Sequence, residues 1–115
     1  MVIPHLGGGF FLHVDRVLAG PRATAGGEGL GRSRRGLEQL LFDTAPSFVW
    51  SPLEIAWAAA RLGVGRLALG SDYPVGPPSV LADAVAHVCA LPLAATDRAR
   101  IAGANAAEFF GLPPS

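Results

Sequence analysis

Three short apolar runs, at residues 2–6, 40–44 and 66–70, constrain this chain more than any other feature. Each is too short for a free-standing helix, and each ends at a turn signal: Gly7-Gly8-Gly9 after the first, Pro46 after the second, Ser71-Asp72-Tyr73-Pro74 after the third. Runs of that length closed by glycine or proline read as buried strands.

Helical signals fill most of the intervals. Phe10, Leu12, Val14, Val17 and Leu18 suggest a short helix before Gly20-Pro21. Ser51-Pro52-Leu53-Glu54 is a fuller signature, with a capping serine, proline in the first helical position and a glutamate three residues after the cap. That helix runs to Gly63, with Leu53, Ile55, Ala56, Ala59, Ala60 and Leu62 expected on its apolar side. Pro77-Pro78-Ser79 opens another helix from Val80 to about Ala90. Thr96 is expected to cap a further one through Ile101, and Asn105 to Phe110 to form a last short turn. Residues 21–36, rich in Gly and Arg, have no periodicity and read as a mobile surface loop. Strands alternating with helices imply an α/β fold with a parallel sheet, in one domain over residues 1–115.

Composition removes several function classes. Nine Arg balance nine Asp and Glu, which leaves no electrostatic footprint for nucleic acid or an anionic membrane. The chain has no lysine, so a phosphate-loop lysine, a Schiff base and a Ser-Lys dyad are excluded. Gly26 to Gly31 follows no strand and opens no helix, and the arginines after it (Arg32, Arg34, Arg35) read as a solvated loop. Cys89 is alone, in an apolar setting expected to be core, which suits a reducing compartment. No signal peptide and no apolar run of roughly 18 residues is visible. The expectation is a soluble cytoplasmic chain acting on a small molecule.

In a parallel α/β fold, functional groups gather at the C-terminal ends of strands. His5 closes the first strand before three glycines that would let a substrate approach the backbone, and Asp72 closes the third. Seen singly, each has a plain structural alternative, as a cap of carbonyls or a turn residue. Asp43 ends the second strand and reads as a supporting residue. His13 and His87 lie on helical stretches and read as structural.

Four segments in order, Pro4-His5-Leu6-Gly7-Gly8-Gly9, Leu41-Phe42-Asp43-Thr44, Leu69-Gly70-Ser71-Asp72-Tyr73-Pro74 and the stretch from Gly103 to Leu112, resemble the amidohydrolase-related family. The branch resembled includes aminocarboxymuconate semialdehyde decarboxylase and related nonoxidative decarboxylases and hydrolases. The resemblance implies strands six to eight and the C-terminal helix of a distorted (β/α)8 barrel with one divalent metal, usually zinc. It makes His5 the catalytic histidine, assisting proton transfer, and Asp72 both a catalytic group and a metal ligand. Asn105-Ala106 matches a structural motif that packs the last helix on the barrel.

The same resemblance implies a His-x-His pair on strand one and a histidine on strand five, and neither has a counterpart here. Such a barrel takes about 250 residues. The expectation is therefore a C-terminal portion, begun at a methionine internal to a longer frame, inactive and unstable alone. Both outer strand edges are expected to be open. Alternatives are a noncatalytic piece that completes another chain or forms a homo-oligomer and, at lower weight, an anion-binding module on the Gly/Arg loop.

Overall fold

A parallel sheet of three strands lies at the centre of the computed structural model, which describes residues 1–14, 16 and 35–113. The strands are β1 (Val2–Ile3), β2 (Leu41–Asp43) and β3 (Leu67–Ala68), in that order. Val2 is level with Leu41 and Ile3 with Phe42; on the other side Phe42 is level with Leu67 and Asp43 with Ala68. Parallel neighbours require a crossover, and between β2 and β3 it is the helix α1 (Pro52–Leu62).

Every strand is shorter than its apolar run. β1 stops before His5, which turns left-handed at φ 55° and sends its amide to the Asp43 side chain instead of the main-chain ladder. The expectation of burial fails for Val2, which is 40% exposed, because no strand covers the other edge of β1 among the described residues. β3 starts late because residues 64–66 wind into a 3-10 turn. The expected helix after Gly9 is a 3-10 turn at Phe10–Leu12, and the rest of that stretch lies mostly outside the described residues. So does all but the end of the 21–36 loop, with Arg32 and Arg34.

α1 begins as its sequence signature implies. The Ser51 hydroxyl accepts from the Glu54 amide (3.3 Å) and the Glu54 carboxylate accepts from the Ser51 amide (2.7 Å). Ile55, Ala58, Ala59 and Leu62 face the core, whereas Leu53 points outward. In α2 (Val80–Cys89) the buried positions are Val80, Ala84 and Val88, one turn apart, so Cys89 falls on the exposed side rather than in the core. Thr96 caps nothing: α3 (Ala95–Ala99) starts one residue before it. Asn105 starts no separate helix either. α3 passes through a π turn (Arg100–Ala104) directly into α4 (Asn105–Phe109).

That continuous helix closes the outer edge of β3. The amide of Thr44 bonds the carbonyl of Ala68 (3.0 Å), so Ala68 faces β2, and Leu67 and Leu69 face away. A π turn releases a carbonyl from the helical ladder, and the carbonyl of Ile101 accepts the outward amide of Leu69 (2.8 Å). Asn105, buried, donates through Nδ2 to the carbonyls of Val64 (2.7 Å) and Leu67 (2.8 Å). Among the described residues, the two expected open edges are thus one, at β1. Ile101, Leu67, Ile55, Phe42, Phe11 and Leu6 form the centre of the core. Complete burial of a side chain of this kind stabilises by about 1.5–3 kcal/mol. No helix among the described residues is long and apolar enough to cross a membrane.

Candidate active site

His5 and Asp72 meet at the C-terminal end of the sheet. His5 Nε2 and Asp72 Oδ1 are 3.9 Å apart, and both side chains are partly exposed (43% and 31%). The backbone that presents them is unusual. Among the described residues, the non-glycine residues with left-handed φ are His5 (55°), Leu6 (50°) and Asp72 (64°). Left-handed geometry runs on through Gly7, Gly8 and Gly9, with the amide of Gly7 bonded to the carbonyl of Pro4 (2.9 Å) and that of Gly8 to His5 (2.8 Å). At Gly7 a β-carbon would lie 3.0 Å from Phe10 Cβ, while Gly8 has open space beside it. A substrate can therefore approach the chain at Gly8, and packing requires the glycine at Gly7.

The ring of His5 is oriented by a main-chain group. Its Nδ1 lies 3.0 Å from the carbonyl oxygen of Ala45, which can only accept, so Nδ1 carries the proton in the neutral ring. Nε2, on the side of Asp72, keeps its lone pair. Asp43 sits beneath: one oxygen, Oδ1, accepts from the amides of His5 (2.9 Å) and Ala45 (3.0 Å). Gly70 makes room for it, since a β-carbon there would stand 2.9 Å from Asp43 Cβ and Cγ. The spacing of residue types singled out His5, Asp72 and Asp43. It gave no sign of Ala45, whose contribution is a carbonyl; Gly70, at a strand end, was the one available hint of close approach.

The other histidines lie elsewhere. His87 donates from Nε2 to the carbonyl of Trp50 (2.6 Å), tying α2 to the loop before α1. His13 ends the 3-10 turn with its side chain exposed.

Among the described residues, no three His, Cys, Asp or Glu side chains come together in a way that could hold a metal ion. A catalytic zinc takes three protein ligands, and the pair His5 and Asp72 offers two donors. These residues do not make a metal centre by themselves. What the arrangement provides is an imidazole of fixed tautomer facing a carboxylate across a gap open to solvent.

Strand ends of this kind are where parallel α/β sheets gather their functional groups. A family model described as Amidohydrolase matches residues 1–112. The chain belongs to the amidohydrolase family, a family of enzymes. Among curated proteins, none matches the chain by sequence. Fifteen chains of solved structures match, among them 5-carboxyvanillate decarboxylase from Sphingomonas paucimobilis, with a TM-score of 0.73 and 24% identity. That likeness shows the fold. It covers 97% of this chain and 33% of the decarboxylase, so the chain spans about a third of that structure's length.

Proposed function

We propose that the sheet corresponds to strands six to eight of a distorted (β/α)8 barrel whose enzyme hydrolyses or decarboxylates, without oxidation, a small carboxylate-bearing or cyclic substrate. The observation that carries this reading is the convergence of His5 Nε2 and Asp72 Oδ1 to 3.9 Å at the strand ends of a chain in the amidohydrolase family. His5 is the acid–base group. With its Nδ1 proton engaged by Ala45, its Nε2 accepts a proton from water or substrate and returns it. Asp72 is the ligand this chain contributes to a divalent metal, taken as zinc, whose remaining ligands come from other parts of the barrel. The protein works in the cytoplasm on a small molecule, without nucleic acid or membrane as partner.

The test is activity and zinc content of the barrel completed around this chain. His5→Ala should lower kcat by about 10²- to 10⁴-fold with zinc retained. Asp72→Ala should lose both zinc and activity. Undiminished turnover in His5→Ala, or a full complement of zinc in Asp72→Ala, would sink the assignment.

A second reading is favoured by one observation. Among the described residues, β1 has an unpaired edge, and an apolar recess of about 230 Å³ is lined by Ile3, Gly7, Phe10, Leu40 and Phe42. Such a surface suits a chain that completes another polypeptide, and size-exclusion chromatography showing a stable, well-folded monomer would contradict it.

A further inference from the structure

We propose that Asp43 is the positioning residue of this site, its Oδ1 fixing both the main chain and the ring of His5. The inference rests on the reading of His5 as the acid–base group. The register shows what Asp43 replaces. With Ile3 level with Phe42, and the amide of Leu41 bonded to the carbonyl of Met1 (3.0 Å), the next rung from β1 to β2 runs from the amide of His5 to the main-chain carbonyl of Asp43. In this chain that amide instead reaches the side-chain Oδ1 of the same residue (2.9 Å).

Thr44 does the same on the other side. The rung after Thr44 to Ala68 runs from the amide of Gly70 to the carbonyl of Thr44, and the amide of Gly70 is found at Thr44 Oγ1 (3.4 Å). Two consecutive side chains thus end the two ladders of β2.

Ending a ladder on a side chain frees the backbone from the strand direction. The His5 amide stays bonded while its φ swings to 55°, which carries the ring over the sheet end. The same Oδ1 holds the amide of Ala45 (3.0 Å), an Asx turn that aims the Ala45 carbonyl back at His5 Nδ1 (3.0 Å). One oxygen therefore sets where the imidazole starts and which nitrogen carries its proton. Gly70 is the space this carboxylate needs.

The test reads the ring tautomers directly, by ¹⁵N NMR of histidine-labelled 115-residue chain above pH 8. Wild-type His5 should show the Nδ1–H form. His87, donating from Nε2 to Trp50, should show the opposite form and serves as an internal control of folding. Asp43→Asn keeps an acceptor oxygen and should retain the Nδ1–H signature. Asp43→Ala should lose it, giving a mixed tautomer at His5 with the His87 signal unchanged. An Nε2–H signature at His5 in the wild type, or a persistent Nδ1–H signature in Asp43→Ala, overturns the proposal. Should Asp43→Ala lose the His87 signal as well, Gly70→Ala, which crowds the Asp43 carboxylate, takes its place: a mixed tautomer at His5 is expected, and an unchanged Nδ1–H signature overturns the proposal. Zinc content and turnover are independent of these spectra, so the positioning role and the proposed activity can fail separately.

Discussion

A left-handed backbone at a residue with a β-carbon costs about 1–3 kcal/mol, and His5, Leu6 and Asp72 all have one. For Leu6 the compensation is visible, since its side chain is fully buried in the core. His5 and Asp72 are partly exposed, so burial does not repay their strain. Strain retained without a packing return is expected where a side chain must be held in one place. Asp72→Gly should then raise the free energy of unfolding, by up to about 1 kcal/mol after the entropy cost of glycine is subtracted. Urea denaturation measures it, and a clear loss of stability would mean that the Asp72 side chain stabilises the fold itself. His5 and Asp72 were legible in the sequence because their types and strand-end positions are local facts. The hold of Asp43 on His5 was not, because it depends on the register of two strands 38 residues apart.

At the scale of elements, α1 was written in four residues. Ser51 and Glu54 close a reciprocal pair of bonds around Pro52, and no distant contact is needed to specify it. The Glu54 carboxyl is held below the usual glutamate range, first by the backbone N–H of Ser51 and then by the Ser51 side chain. A depressed folded-state pKa contributes stability that is fully present above the ordinary glutamate value, about 4.3, and lost as pH falls through the lowered one. Wild type should therefore exceed Glu54→Gln in stability at pH 6, and the difference should shrink to nothing as the pH is lowered well below 4. A difference independent of pH would show that the carboxylate charge plays no part. Ser51→Ala, which leaves the Glu54 amide unsatisfied, should cost about 1 kcal/mol in the same titration.

The end of the chain was less legible for a physical reason. Thr96 and Asn105 are both good capping residues by type, yet they lie within one continuous helix. The π turn between them answers a demand from elsewhere, the outward amide of Leu69 and the carbonyls of Val64 and Leu67 at β3. Helical periodicity carries no trace of such a demand. Cys89 and Leu53 were misplaced for a related reason. Each helix is apolar over more of its circumference than the sheet covers, so hydrophobicity alone does not say which side turns inward.

For the whole molecule, the balance of edges decides how the chain behaves. β3 is sealed by its own C-terminal helix, which leaves β1 as the unpaired edge among the described residues. Met1 and Ile3 turn their polar groups toward β2, so Val2, half-exposed, presents its N–H and C=O outward next to the apolar recess at Ile3, Phe10 and Phe42. An open parallel edge with an apolar flank recruits another strand. The purified chain should accordingly associate as its concentration rises, seen as an increasing weight-average mass in sedimentation. Val2→Lys places a charge on that edge without touching the core and should shift the chain toward monomer. Association unchanged by Val2→Lys would move the contact surface away from β1. Association that falls with Val2→Lys would identify β1, the strand that leads directly into His5, as the contact edge.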